Sequence, residues 1–148
     1  MIFVVDASVH LNALNPAEAS STESQALLKW LFGEPWLVVS PTLLLIEVVT
    51  AVARVFDDPT RGLAVAEAVR GLPGQVWVSL DENLAREAAR LAAEHQLRGA
   101  DGVYAAVAHW YGAALITLDR QQLERLHPKL LVLTPAEALA RLEQQALK

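Results

Sequence analysis

Four acidic residues stand at positions where a carboxylate needs a chemical partner. Asp6 ends the N-terminal apolar run MIFVV, and Glu47 interrupts the apolar segment LLLIEVVTAV. Asp101 and Asp119 lie in LRGADGVYAAVA and LITLDRQ. An unpartnered buried charge is costly, and its partner could be a helix N-terminus, a basic side chain or a metal ion. Carboxylates that crowd together repel, and Mg²⁺ or Mn²⁺ would neutralise them, activate water and stabilise charge on a phosphate.

Short β-branched or aromatic runs alternate along the chain with segments typical of helices. None of the strand-like runs alternates cleanly between apolar and polar residues, which is typical of parallel strands covered on both faces. This order predicts an α/β sandwich around a parallel sheet. The predicted strands are 2–5, 36–39, 76–80, 114–118 and 130–133. The predicted helices are 23–32, 41–56 with Pro41 in its first turn, 58–72, 81–97, 101–112, 120–126 and 134–147.

The predicted sheet brings the acidic residues to one edge. The carboxyl ends of parallel strands share an edge, and the helices that cross back to the next strand begin there. Asp6 follows the first strand and Asp119 follows the fourth. Asp101 starts the helix that leads into the fourth strand. Glu47 lies about six residues into the helix after the second strand, ~9 Å from its start, so its side chain can reach back to the same edge.

Composition and charge limit the class of protein. The 148 residues are 53% hydrophobic and 20% charged, which predicts one compact domain over 1–148. The absence of cysteine excludes disulfides and thiolate metal sites. The net charge of −5 argues against a nonspecific nucleic-acid binder but not against a nuclease with an acidic metal site. The apolar stretch 36–56 contains Pro41, Glu47 and Arg54, so we expect a strand and a helix there and not a membrane span.

The segments around the four acids resemble the PIN-domain family, and more closely its VapC-type toxin ribonucleases. The resemblance begins with VVDASV, continues with LLLIEVVTAV, is strongest in LRGADGVYAAVA and LITLDRQ, and runs through nearly the whole chain. It implies a three-layer α/β/α fold with a central sheet of about five parallel strands. It also implies Mg²⁺- or Mn²⁺-dependent hydrolysis of RNA, a homodimer and a VapB-like antitoxin partner. We further expect no membrane association and a cytoplasmic location.

The resemblance also assigns roles to individual residues. Ser8 and Thr117 match the hydroxyl positions that support the carboxylates. Arg98 or Arg120 could contact a substrate phosphate. Gly102 stands where Ala is common and is expected to weaken the start of its helix slightly. The catalytic, metal-binding positions are Asp6, Glu47, Asp101 and Asp119, with Asp6 and Asp101 the expected direct ligands.

Simpler roles for these residues stay open in the sequence. Asp6 could cap a helix that starts at residue 7 or 8, and Asp101 could equally be an N-cap. Asp81 also follows a predicted strand, and capping is its expected role because no family position corresponds to it. Asp58 is also expected to cap a helix. Tyr104, like the other aromatic residues in apolar segments, is expected to be a core or dimer contact.

Two other functions compete with a ribonuclease. A catalytically silent PIN-like module could act by binding a protein or RNA partner, but the presence of all four acids argues against it. A phosphoryl-transfer domain of receiver or dehalogenase type fits poorly. The first needs an acidic pair after strand one and a Lys after strand five, whereas Lys129 precedes the last predicted strand. The second needs Asp-x-Asp, and this chain has Asp6-Ala-Ser8.

Overall fold

The computed structural model describes residues 1–33 and 36–148, which contain five strands and eight helices. The strands are β1 (Ile2–Val5), β2 (Leu37–Pro41), β3 (Gln75–Val78), β4 (Ala114–Ile116) and β5 (Val132–Leu133). The helices are α1 (Ala7–Ala13), α2 (Ser21–Gly33), α3 (Leu43–Phe56), α4 (Pro59–Arg70), α5 (Glu82–His95), α6 (Gly99–Tyr111), α7 (Arg120–Arg125) and α8 (Pro135–Ala146).

The strands form one parallel sheet in the order β3-β2-β1-β4-β5. Strand β1 is central, and its side chains alternate between two cores. Val4 packs with α3, α4, α5 and α6 on one face, whereas Phe3 and Val5 pack with α2 and α8 on the other. Burial on both faces explains why the strands read as continuous apolar runs. The predicted three-layer α/β/α fold is confirmed.

One prediction about local structure is wrong, and one helix was foreseen only as an alternative. Pro41 ends β2, opposite Val78, and does not begin a helix. Proline has no N–H, so the contact to Val78 O comes from the N–H of Thr42 at 2.9 Å, and α3 begins at Leu43. Helix α1 follows directly on β1, where the sequence indicated a helix only through the capping alternative for Asp6.

Within the described ranges, no helix combines the length and the apolar character needed to cross a bilayer. The apolar stretch 36–56 divides at Thr42 into a strand and a helix, as expected for a buried segment of an α/β domain.

Gly102 has a packing role that differs from the expected small effect on helix propensity. It faces α5, and a Cβ at this position would lie 2.6 Å from the carbonyl oxygen of Ala88 and 2.9 Å from the Cβ of Ala92. The backbone of α5 cannot give way as a flexible side chain would. Glycine therefore permits the close approach of α5 to α6, the helix that carries Asp101.

We expect Gly102→Ala to destabilise the fold by about 1–3 kcal/mol, the usual cost of overpacking, despite the better helix propensity of Ala. Thermal denaturation would register this as a fall in Tm of about 2–4 °C per kcal/mol. Gly99→Ala is the matched control, because nothing lies within 4 Å of its Cβ position in the same helix. Equal Tm values for the two variants would contradict the packing argument.

Candidate functional site

A cleft of about 390 Å³ lies at the edge of the sheet where β1 and β4 end. The four acids come from four places in the sequence: Asp6 after β1, Glu47 in α3, Asp101 in α6 and Asp119 after β4. All four line this cleft, as do Ser8 and Arg98. The fold thus brings together the carboxylates that the sequence placed at one edge.

Asp6 is buried at the end of β1, and three side chains hold its carboxylate. Its Oδ2 accepts hydrogen bonds from Ser8 Oγ at 2.7 Å, Thr117 Oγ1 at 2.8 Å and Gln122 Nε2 at 3.3 Å. Although Asp6 precedes α1, its side chain makes no capping hydrogen bond. Burial raises the pKa of Asp6, and the hydroxyl donors only partly offset that rise.

The hydroxyls of Ser8 and Thr117 are oriented by the backbone. Ser8 Oγ accepts the N–H of Leu118 at 3.1 Å, and Thr117 Oγ1 accepts the N–H of Asp119 at 3.0 Å. Each hydroxyl that accepts from the backbone is left to donate its own hydrogen to Asp6. The segment that follows β4 therefore fixes Asp6 on β1, although the two strands are more than 100 residues apart in sequence.

Asp101 is a member of the first turn of α6 and is not its cap. The N-cap position belongs to Arg98, and the helix starts at Gly99. The carboxylate of Asp101 accepts Gln122 Nε2 at 3.1 Å on Oδ1 and Arg98 Nε at 3.2 Å on Oδ2. Burial first, and then the negative charge of Asp119, raise its pKa. The N-cap interpretation of Asp101 is wrong.

Asp119 and Arg98 link the rim of the cleft. Asp119 caps α7 by accepting the N–H of Gln122 at 3.0 Å, and its other oxygen pairs with the guanidinium of Arg98. Arg98 therefore bridges Asp101 and Asp119, and its side chain stays 69% exposed. Because exposed ion pairs are weak, Arg98 can readily exchange its carboxylate partner for another anion. Arg120, the other expected phosphate contact, is exposed and does not line the cleft.

Glu47 lies one turn into α3 and is half-buried. Its Oε1 accepts the hydroxyl of Tyr104, which is fully buried, at 2.6 Å. Burial raises the pKa of Glu47, the hydrogen bond from Tyr104 lowers it, and the charges of Asp6 and Asp101 raise it further. A carboxylate that lines the cleft and is oriented by one donor is placed to accept a proton there.

We expect Tyr104→Phe to reduce the activity of the cleft by about 10-fold or more, the loss typical of removing a group that orients a site carboxylate. The pKa of Glu47 would rise further without the hydroxyl, so the acidic limb of the pH–rate profile should move to higher pH. Tyr111→Phe is the control because Tyr111 is exposed. An unchanged pH–rate profile in Tyr104→Phe would contradict a role for this hydrogen bond.

Two residues of the site were not identified in the sequence. Tyr104 was expected to be a core or dimer contact, and its only local signal is its position three residues after Asp101 on the same helix. Gln122 carried no signal beyond its place three residues after Asp119. Asp81, by contrast, caps α5 through the N–H of Leu84 at 2.9 Å, as expected.

The donor set fits a hydrated hard cation. No three carboxylate or imidazole groups of the described chain already lie close enough together to enclose an ion. Mg²⁺, however, is usually held by one or two carboxylates and keeps several waters. The hydrogen bonds to Asp6 from Ser8, Thr117 and Gln122 all go to Oδ2, so its Oδ1 receives none of them. The residues therefore fit Mg²⁺ or Mn²⁺ bound through few direct contacts.

The fold is that of a known family of domains. The profile of the PIN domain family matches residues 3–127, most of the chain, so the protein belongs to the PIN domain family. No curated protein matches the chain significantly in sequence.

Solved structures similar to this chain include toxin–antitoxin proteins. The toxin VapC20 from Mycobacterium tuberculosis, described as cleaving the sarcin–ricin loop, has a TM-score of 0.67 and 20% identity over 83% of this chain and 93% of its own. FitAcB from Neisseria gonorrhoeae has a TM-score of 0.68 and 20% identity over 92% and 99%. DNA-bound VapBC from Salmonella typhimurium has a TM-score of 0.68 and 16% identity over 91% and 98%. At these identities the likeness establishes the fold.

Proposed function

We propose that this chain is a Mg²⁺- or Mn²⁺-dependent endoribonuclease of the VapC type and the toxin of a toxin–antitoxin pair. The observation that carries the proposal is the cleft lined by Asp6, Glu47, Asp101 and Asp119 at the carboxyl edge of a PIN-domain sheet. Burial is the main cause of the raised pKa values of Asp6, Glu47 and Asp101, and the negative charges of neighbouring carboxylates raise them further. A divalent cation is the natural counterion for such a site.

Each residue of the cleft then has a chemical task. Asp6 and Asp101 would hold the ion, with Asp119 completing the set directly or through water. When bound, the ion would supply positive charge for the phosphate and acidify a bound water. Glu47, oriented by Tyr104, would accept the proton of the attacking water. Arg98 would leave its exposed ion pair with Asp119 to contact a phosphate oxygen of the RNA.

The proposed partners rest on the family and on the surface. Several similar structures are toxin–antitoxin complexes, including one from Klebsiella pneumoniae with a TM-score of 0.63. Large apolar side chains are also exposed on α3 and α4, among them Ile46, Val55 and Leu63. Burial of such side chains against a partner would be favourable. We propose that a VapB-like antitoxin and a second copy of this chain bind the protein in the cytoplasm.

The proposed function is tested by incubating the purified protein with a pool of structured RNAs in Mg²⁺, Mn²⁺ or EDTA. We expect cleavage at a few defined phosphodiester bonds with either metal and none with EDTA, and mapping of the cut ends would identify the target. Cleavage that persists in EDTA would contradict the metal-dependent mechanism. A folded protein that binds RNA or an antitoxin but cuts no RNA with either metal would favour the silent binding module.

A further inference from the structure

Gln122 is a fully buried polar residue in the short helix α7, next to the site but outside the cleft lining. The sequence-based set of catalytic and supporting residues does not include it. Glutamine is mostly an exposed residue, so a glutamine with no exposed surface needs a specific explanation. The explanation is found in its hydrogen bonds.

Gln122 donates to three of the four site carboxylates. Its Nε2 lies 3.1 Å from Asp101 Oδ1 and 3.3 Å from Asp6 Oδ2, and its backbone N lies 3.0 Å from Asp119 Oδ1. The same amide nitrogen lies 3.4 Å from Thr117 Oγ1. One residue therefore connects carboxylates carried by β1, α6 and the end of β4, which no single strand or helix could align by itself.

The orientation of the amide is set by chemistry. With Nε2 toward Asp6 and Asp101, the amide donates to two acceptors, whereas the reverse orientation would place Oε1 against carboxylate oxygens. In the present orientation Oε1 is buried and accepts no hydrogen bond from any described residue. An unsatisfied buried acceptor lowers stability, and an apolar side chain of similar size would avoid that loss. The hydrogen bonds to Asp6 and Asp101 therefore explain why a glutamine occupies this buried position.

We propose that Gln122 is a positioning residue that holds Asp6 and Asp101 in the arrangement in which they share one hydrated divalent cation. This inference rests on the proposed function of the cleft. The side chain of Gln122 does not line the cleft, so it acts through the two carboxylates and does not touch the RNA. Its removal should therefore weaken metal binding and leave the KM for RNA at saturating metal unchanged.

The test measures Mn²⁺ binding to the RNA-free protein by electron paramagnetic resonance, beside thermal denaturation. Gln122→Met keeps the size of the side chain and removes the amide. Gln121→Met is the matched control, since Gln121 is the exposed neighbour in the same helix. We expect Gln122→Met to weaken Mn²⁺ binding by about 10–100-fold and the control to bind as the wild type does. Equal Mn²⁺ affinity in a folded Gln122→Met would overturn the inference.

A measurement on the wild-type protein keeps the inference testable if Gln122→Met does not fold. The side-chain amide protons of Gln122 should be protected from solvent exchange, and their NMR signals should shift when Mg²⁺ is added, while those of Gln121 should not. A Gln122 amide that is insensitive to Mg²⁺ in a protein that binds the ion would overturn the inference alone. A wild-type protein that binds neither ion would overturn the proposed metal site together with it.

Discussion

Asp6→Asn and Asp101→Asn are each expected to reduce metal-dependent RNA cleavage by more than about 100-fold, beyond the range seen when only a supporting group of a metal ligand is lost. Both substitutions keep the shape of the side chain and remove the negative charge. The amide of Asn still offers one oxygen to the donors around it, such as Ser8 and Thr117 at Asp6. A fall in activity would therefore report the loss of charge and not a collapse of the site. Rates of cleavage in Mg²⁺ provide the measurement.

Asp81→Asn is the matched control for these variants. Asp81 also follows a strand, but its carboxylate caps α5 through the N–H of Leu84 and does not line the cleft. Asn is as good an N-cap as Asp, so activity and Tm should both stay close to those of the wild type. If Asp6→Asn and Asp81→Asn cleaved RNA equally well, the assignment of the cleft as the active site would be wrong.

The sequence could predict which residues reach the site because parallel topology constrains them strongly. Asp6 and Asp119 each follow a strand, and strand ends on one side of a parallel sheet share an edge. The helix that carries Glu47 was expected to begin at Pro41 but begins at Leu43, two residues later. This error did not affect the predicted location of Glu47, because the later start places it closer to the edge of the sheet. Element order therefore predicts the position of the carboxylates better than it predicts element boundaries.

The sequence could not predict how the carboxylates are held. Tyr104 and Glu47 are 57 residues apart, and Gln122 and Asp6 are 116 apart, so no local pattern links the members of either pair. Nor could spacing decide whether Asp6 caps α1 or faces the cleft, because the backbone at Asp6 does occupy the N-cap position. The direction of a short side chain is decided by tertiary donors such as Thr117. These contacts follow from packing, and only the folded chain contains them.

Asp6→Asn is also expected to stabilise the metal-free protein near neutral pH. Burial raises the pKa of Asp6 above its ordinary value of 3.8, so the folded protein holds that proton more tightly than the unfolded chain does. Such a group favours folding below about pH 4, and that contribution is lost as pH rises through the folded pKa. Asn carries no charge and loses nothing over this range. Its Tm at pH 7 should therefore exceed that of the wild type.

Comparison with the variant at each pH isolates Asp6 from an opposing titration. His10 is buried, and burial lowers its pKa from 6.5 to about 4, so its contribution to stability is lost as pH falls below 6.5. The contribution of His10 is the same in wild type and Asp6→Asn, so it cancels when their Tm values are subtracted. The difference in Tm should therefore be near zero or reversed at pH 4 and should grow toward pH 7.

Addition of the metal should remove the advantage of the variant. An ion that binds only the folded wild type stabilises it by about 2.7 kcal/mol at a concentration of 100 Kd, and Asp6→Asn has lost a ligand for that ion. Wild type should then be the more stable protein at pH 7 in excess Mg²⁺ and the less stable one in EDTA. Tm curves that stay parallel with and without Mg²⁺ would mean that Asp6 binds no ion. A reversal in the order of the two Tm values on addition of Mg²⁺ would show that the charge of Asp6 destabilises the metal-free protein and is required for metal binding.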